Sequence, residues 1–456
     1  MVCHICRVIY GDVFVFYFWE GMSYPLFYDS VTACDECDLL HRIPPLKSGE
    51  RFKCIRCGHV LISVHEHVKG RIFGTGCSSL LMLAFALAFP FLGFSSSGAE
   101  RSITLFNIVS VLINQDYLIL SAIISLALFV FPIAYLLAVI FLVWSFDNHH
   151  VSMAIKRYFT RWVIVIQPWL MVDVFLVGTL VALVKMDSLA DIELGLSFWA
   201  FCAYVLLLLK TISLVDRRWF WNQLAGHGPD HLIVKPPVLE KSALAKPITA
   251  KQQELIGCHF CGATLLGTAF HCSRCGHSIH SRRPHSLTGT IAFLIASVIM
   301  FIPANVFPIM QTTFLGGNEP STIMGGVLLL WSLGSYPVAL IIFLASVVIP
   351  LVKMLSLSWL CWQCYYPTER ETMQKIRLYR ITELVGRWSM IDIFVVAVLT
   401  GLVQMGELMS ILPGPAVLSF TSVIILTMLA AMVFDPRLLW DKNEGSVMPS
   451  SQEKKE

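Results

Sequence analysis

Charge is scarce in this sequence: Asp, Glu, Lys and Arg make up 14% of 456 residues, against 56% hydrophobic ones. A water-soluble globular chain carries roughly 25% charged residues, so a soluble fold is excluded. The formal charge of +3 is too small for a nucleic-acid-binding face, and the basic residues collect in particular loops instead. No cleavable signal peptide is recognisable at the start. No Gly-x-x-x-x-Gly-Lys-Ser/Thr phosphate loop occurs either, so energy for any transport must come from a proton gradient or a partner.

What the sequence does have is long apolar runs, with a mean hydropathy of +0.71. Eight runs approach the ~20 residues that cross a hydrocarbon core. They lie at about Cys77–Phe94, Leu118–Trp144, Trp162–Met186 and Leu196–Val215, then Leu287–Met310, Gly326–Cys361, Trp388–Met405 and Pro415–Phe434. The predicted fold is an α-helical integral membrane protein. Ahead of each set of four stand two Cys-x-x-Cys pairs, Cys34/Cys37 with Cys54/Cys57 and Cys258/Cys261 with Cys272/Cys275. Each group of four thiolates offers a closed tetrahedral set of soft ligands, which predicts two structural Zn2+ ribbons with no open position for catalysis. Thioredoxin-type redox chemistry wants a βαβ context that is absent. His59 and His277 are spare or solvated turn groups, and Cys361-x-x-Cys364 is read as interfacial filler.

The two sets superpose at a shift of 218 or 219 residues, as in Cys57-Gly58-His59 onto Cys275-Gly276-His277 and Pro132 onto Pro350. Trp169-Leu170-Met171-Val172-Asp173-Val174-Phe175 likewise falls on Trp388-Ser389-Met390-Ile391-Asp392-Ile393-Phe394. The chain is a tandem duplication of zinc ribbon plus four helices. Its predicted parts are an atypical extension 1–30, ribbon 31–68, helical unit 69–216, linker 217–256, ribbon 257–281, helical unit 282–435 and tail 436–456. Within the extension, Met22 is an alternative initiator to Met1. Even span numbers make the repeats parallel, with both ribbons on one side, unlike the inverted repeats of many transporters.

Loops on the ribbon side carry Lys156, Arg157, Arg161, Arg370, Lys375, Arg377, Arg380 and Arg387. The opposite loops carry Arg101 against Glu100, Asp116, Asp187, Asp191, Glu193, Glu319 and Glu407. The positive-inside rule therefore predicts that ribbons and both termini are cytoplasmic, where thiols stay reduced. Thr372–Trp388 reads as an amphipathic helix along that interface, or as an extension of the seventh span.

Ionisable groups inside spans are costly, roughly 2.5 to 3.5 kcal/mol at mid-helix, and mark functional or bundle-facing positions. Asp173 and Asp392 are such a repeated pair. Lys353, three residues after Pro350, has Tyr135 as its first-half counterpart and wants a carboxylate, with Asp392 nearest by helix order. Asn305 sits beside the break at Pro303. Because only the second copy has Lys353, Asn305 and Gly386-Arg387 around it, Asp392 is expected to be functional and Asp173 its structural echo.

Arg283-Pro284-His285-Ser286-Leu287, Pro303-Ala304-Asn305-Val306-Phe307-Pro308 and Gly386-Arg387-Trp388-Ser389-Met390-Ile391-Asp392-Ile393-Phe394, with the paired ribbons, resemble the paraquat-inducible protein A family of Gram-negative inner membranes. The resemblance covers about residues 31 to 445. It implies a non-enzymatic inner-membrane component that works with a periplasmic MCE-domain tunnel protein to move lipids between membranes. It also puts the ribbon cysteines at metal-ligand positions and Asn305, Lys353, Arg387 and Asp392 in motif positions. Lipid as cargo enters only through this resemblance. The alternatives from the residues alone are a membrane thiol/quinone oxidoreductase, whose cysteines would have to face the periplasm, and a zinc-ribbon sensor or scaffold without transport.

Overall fold

A computed structural model describes residues 31–44, 46–96, 99–186, 191–225, 248–314, 317–332, 334, 336–366, 372–402 and 409–444. The extension 1–30, most of the expected linker and the end of the tail lie outside them.

The first half opens with two antiparallel ribbons, β1 (Val31–Ala33) with β2 (Leu40–Arg42) and β3 (Arg51–Lys53) with β4 (Val60–Ser63). Then come α1 (Val68–Ala88), β5 (Leu92–Ser96), β6 (Ala99–Ile103), α2 (Leu105–Asn114), α3 (Leu118–Ser125) and α4 (Phe131–Phe146). They are followed by α5 (Met153–Ile166), α6 (Val172–Met186), β7 (Asp191–Leu194), α7 (Leu196–Leu214) and α8 (Arg217–Ala225). The second half repeats the plan: β8 (Leu255–Gly257), β9 (Thr264–Leu266), α9 (Ser286–Val306), β10 (Met310–Phe314), β11 (Gly317–Ser321), α10 (Ile323–Ser332), α11 (Tyr336–Phe343) and α12 (Ile349–Tyr365). It closes with α13 (Thr372–Trp388), α14 (Ile391–Leu402), β12 (Met409–Pro413), α15 (Ala416–Val433) and α16 (Leu438–Glu444).

Among the described residues, eight helical stretches are long and apolar enough to cross a membrane, as expected, so the chain is a multi-pass membrane protein. In each half the first and fourth spans pair, α1 with α7 and α9 with α15. Small and hydroxylated residues let them approach: Thr211 donates to Thr75 at 2.9 Å, and Ser286 donates to the Val433 carbonyl at 2.9 Å.

The second span of each half is continuous through one π turn, Leu126–Val130 between α3 and α4 and Leu344–Val348 between α11 and α12. Pro132 and Pro350 follow at the start of the next helix. Proline has no N–H to give and its ring crowds the carbonyl four residues back; widening that turn accommodates both defects.

Four features depart from the sequence expectations. The sixth span does not run from Gly326, because α10 ends at Ser332 and Gly334 takes a left-handed φ of 81° before α11. The third span is broken at Gln167-Pro168-Trp169, so α5 is the first-half counterpart of α13. Residues 217–225, within the expected linker, form α8. Finally, each half carries a three-stranded antiparallel sheet at the end of α1 or α9 away from the ribbons, in order β6-β5-β7 and β11-β10-β12. The apolar exits of the first and fifth spans go into β5 and β10.

The halves meet where α6 packs on α14. A Cβ on Gly178 would lie 3.1 Å from Phe394 Cβ and 3.3 Å from the Ile391 carbonyl oxygen, so glycine permits this approach. Phe175 packs edge to face on Phe394 beside it.

Candidate metal centres and inter-repeat cavity

Each Cys-x-x-Cys knuckle turns on a residue with positive φ directly after its second cysteine. Gly58, Gly262 and Gly276 do this at φ 69° to 71°, and Asp38 does it at 62°. Each turn closes with an amide donating to the first cysteine's carbonyl, at 2.9 Å for Asp38 and Gly58 and 2.8 and 2.7 Å for Gly262 and Gly276. Asp tolerates the left-handed region better than most residues. The Asp38 carboxylate is also held, accepting from Arg282 at 3.0 Å and from the Lys251 amide at 3.2 Å.

The turns bring four buried sulfurs together at each site, with all Sγ atoms within 4.8 Å of one another. Cys34 lies 3.5 Å from Cys57 and Cys37 3.4 Å from Cys54; the second site has Cys258 to Cys275 at 3.6 Å and Cys261 to Cys272 at 3.5 Å. A tetrahedral ion with Zn–S bonds near 2.3 Å separates sulfurs by about 3.8 Å, so both quartets fit a four-coordinate metal. Within each quartet the mutual hydrogen bonds divide the thiols, lowering Cys54 and Cys272 and raising Cys37 and Cys261. A thiolate is the ligand form.

The histidines fall differently from expectation. His59 pairs with Glu36 at 3.0 Å and His277 packs on Phe260 with centroids 4.9 Å apart. His41 instead touches one of the four sulfurs, its Nε2 lying 3.1 Å from Cys54 Sγ. Its position four residues after Cys37 is the one signal of this contact in the sequence.

The ribbons dock crosswise. The first ribbon's cysteines share a core with Leu357, Leu360, Tyr379, Phe434 and Trp440 of the second half. Cys361 and Cys364 pack in that same core. The second ribbon's cysteines belong to the core built on first-half residues such as Phe146, Trp219 and Phe220. Equivalent arginines fasten each crossing: Arg380 donates to the Cys57 carbonyl at 2.8 Å, and Arg161 donates to the Cys275 carbonyl. Arg56 sits over the Trp440 ring at 3.9 Å, a cation–π contact that joins the first ribbon to α16.

Between the ribbons runs a charged lattice. Arg217 binds Asp35, Arg437 binds Asp435 at 2.9 Å, and Arg282 bridges Asp38 and Asp441 at 3.0 and 2.7 Å. Burial alone would raise the Asp35 and Asp435 carboxyls, but Arg217 and Arg437 respectively bring both down to about 2. Burial, reinforced by Arg437, lowers His259 to about 4, so it is the neutral imidazole at neutral pH. Burial outweighs Arg282 at Asp38, whose carboxyl is raised.

Toward the membrane, at the same end, a cavity of about 380 Å3 opens between the halves. Its first-half wall is Gln167, Pro168 and Asp173 at the break between α5 and α6, with Val205, Leu208, Leu209 and Ile212 of α7. Its second-half wall is Lys353 of α12, Arg380, Glu383, Gly386 and Arg387 of α13, and Met428 and Met432 of α15. Lys353 is 2% exposed, and its Nζ makes no hydrogen bond or ion pair among the described residues.

Helix order pairs Lys353 with Asp392 and makes Asp173 a structural echo; the fold groups these residues differently. Asp173 lines the cavity with Lys353, Gly386 and Arg387, whereas Asp392 is buried outside that lining. The crossing of α6 over the second half explains this, since it swings the α5–α6 break toward α12 and α13. Asn305 also lies outside the cavity, donating back to the Phe301 carbonyl at 2.9 Å on its own helix.

Comparison with known proteins adds relatives to this geometry. The family model described as "Paraquat-inducible protein A" matches residues 71–225 and 287–444, one helical unit each. The chain is 38% identical over 414 residues to "Intermembrane transport protein PqiA" of Escherichia coli, covering 91% of this chain and 96% of that one. It is 28% identical to "Lipophilic envelope-spanning tunnel protein A" of Escherichia coli, covering 90% and 91%. It is also 27% identical to "Probable intermembrane transport protein" of Haemophilus influenzae, covering 90% and 95%. No solved structure matches.

Proposed function

The chain belongs to the paraquat-inducible protein A family, and from that premise we propose that it is the membrane component of a lipid transport system linking two membranes. The observation that carries this reading is the cavity between the halves. It combines an apolar wall of Val205, Leu208, Leu209 and Ile212 with the ionisable groups of Asp173, Lys353, Glu383 and Arg387, the amphipathic pattern of a lipid. The names of three relatives, two with intermembrane transport and one with an envelope-spanning tunnel, support it.

In this reading the protein sits in the bacterial inner membrane with ribbons and termini cytoplasmic, as the basic loops favour. Its partner is a periplasmic MCE-domain protein that would receive lipid at the strand-bearing face. Zn2+ fills both four-cysteine sites as a structural ion and locks the knuckles that fasten each half to the other. Lys353, Arg387 and Asp173 form the polar lining of the path, and Asp392 and Asn305 are polar packing groups of the second half.

The test is transfer of labelled phospholipid from vesicles containing the protein to acceptor vesicles, with the periplasmic partner supplied. Transfer should require the protein and fall in Lys353→Met at equal abundance. Equal transfer with and without the protein sinks the proposal. Loss of transfer only together with loss of abundance favours the scaffold reading.

A further inference from the structure

The cavity holds an unusual charge balance. Arg380 is already committed, its Nε 3.0 and 3.1 Å from the two Glu36 carboxylate oxygens. That leaves two cations, Lys353 and Arg387, facing one space with two carboxylates, Asp173 and Glu383. None of the four makes an ion pair within 4 Å among the described residues. Lys353 is also the most confined of them, and its Nζ has no hydrogen-bond partner among the described residues, so an anion in the cavity is what would hold it as the ammonium. Gly386 keeps room for it: a Cβ there would come 3.0 Å from Nζ and 3.3 Å from Cε.

A ligand that satisfies only the cations leaves Asp173 and Glu383 facing its negative charge, and one that satisfies neither leaves Lys353 unpaired. A phosphate and an ammonium on one short linker satisfy both pairs. The rim says how such a group arrives. Leu209 and Leu384, 41% and 55% exposed, stand at the cavity edge. The space admits a headgroup but not two long acyl chains, which would remain along that rim.

We propose that this cavity is a binding site for a zwitterionic phosphate–ammonium headgroup, that of a phosphoethanolamine lipid, with Lys353 and Arg387 taking the phosphate and Asp173 and Glu383 the ammonium. This rests on the lipid-transport reading and adds the headgroup class to it. Discrimination against phosphoglycerol lipids comes from the carboxylates, which repel a purely anionic headgroup.

The full-length protein in detergent should be titrated calorimetrically with dihexanoyl phosphatidylethanolamine, dihexanoyl phosphatidylglycerol and free O-phosphoethanolamine. The ethanolamine lipid should bind about tenfold or more tightly than the glycerol lipid. Lys353→Met and Gly386→Leu should each weaken ethanolamine-lipid binding about tenfold. Asp173→Asn and Glu383→Gln should erase the preference between the two lipids while leaving phosphate binding in place, which a mere folding defect would not do. Melting temperatures within a few degrees of the parent certify the fold of each variant. Equal affinity for the two lipids, or unchanged binding in Lys353→Met, overturns the site. Free phosphoethanolamine binding as tightly as the lipid overturns the lipid source. The predicted binding pattern without vesicle transfer would remove the transport reading and keep the site; transfer without headgroup preference would do the reverse.

Discussion

Phe175 and Phe394 are repeat equivalents, and their rings meet edge to face with centroids 5.4 Å apart. Equivalent residues touch each other only beside the axis that relates two copies, so the pseudo-two-fold axis passes between α6 and α14. Both rings are fully buried, and Phe175 also serves its own half through Phe91 and Phe201. Phe394→Ala should therefore cost about 3–5 kcal/mol, in the range for buried Phe truncation. Gly178→Leu, which drives a side chain into Phe394 and the Ile391 carbonyl, should separate the halves more than it unfolds either. Thermal melting should show one shifted transition for the first variant and a split or broadened one for the second. A single unshifted transition in Gly178→Leu would contradict the axial packing.

Crosswise docking has a distinct signature. Breaking the first four-cysteine site with Cys54→Ser should loosen the second half, where that ribbon packs on α12, α13 and α15. Hydrogen exchange should rise in 349–388 before it rises in α1 or α7. Cys272→Ser should loosen the first half instead. Exchange rising in the half that encodes the mutated ribbon would refute the crossing. Elemental analysis of the parent should return about two zinc per chain, and Arg380→Ala should leave that count intact while raising exchange at the first ribbon.

Much of this was legible beforehand, for physical reasons that differ by feature. Cysteine spacing in Cys34-x-x-Cys37 is local, and span length is set by bilayer thickness, so ribbons, spans and duplication could be read directly. Crosswise docking could not, because an apolar face records that it is buried and not against which copy. The same limit misplaced Asp173: its neighbours Lys353 and Gly386 come from the other half, roughly two hundred residues away in sequence. The strand β5 was hidden because it continues the apolar run of the first span. Asp38 carried an unread signal, standing where the other three knuckles have glycine.

Acid should weaken the ribbon lattice through Asp435, which is 1% exposed. Its carboxyl is lowered to about 2 against an ordinary 3.8, since the Arg437 hydrogen bonds and charge outweigh burial. A depressed carboxylate stabilises the fold above its unfolded value and loses that contribution as pH falls through its folded value. The contribution, about 2 kcal/mol, should thus be complete above about pH 5 and fade between about pH 4 and pH 2. The melting gap between parent and Asp435→Asn should be constant from about pH 5 to 7 and narrow at about pH 3. A gap that keeps its neutral value at about pH 3 would show that Asp435 is not ionised through Arg437.

The π turn before Pro350 sets where Lys353 points. In Leu344–Val348 the Ile349 amide reaches the Leu344 carbonyl, one residue further back than in an α-helix, which inserts an extra residue into the turn. Pro350→Leu restores an N–H and removes the ring that crowds the preceding turn, so the stretch can anneal to regular α-helix. Losing one residue from the turn rotates α12 by roughly 100° relative to α11. Lys353 would leave the Gly386 notch, and a buried ammonium would face other helices. Lipid transfer should fall while zinc content stays at its parental level, because the ribbons are reached through α13 and α15 as well. Pro132→Leu makes the same backbone change in the first half, where Tyr135 replaces Lys353 and is fully buried. It should therefore lower stability by a similar amount and transfer by much less. Equal loss of transfer in the two variants would mean that the π turn matters for the scaffold alone.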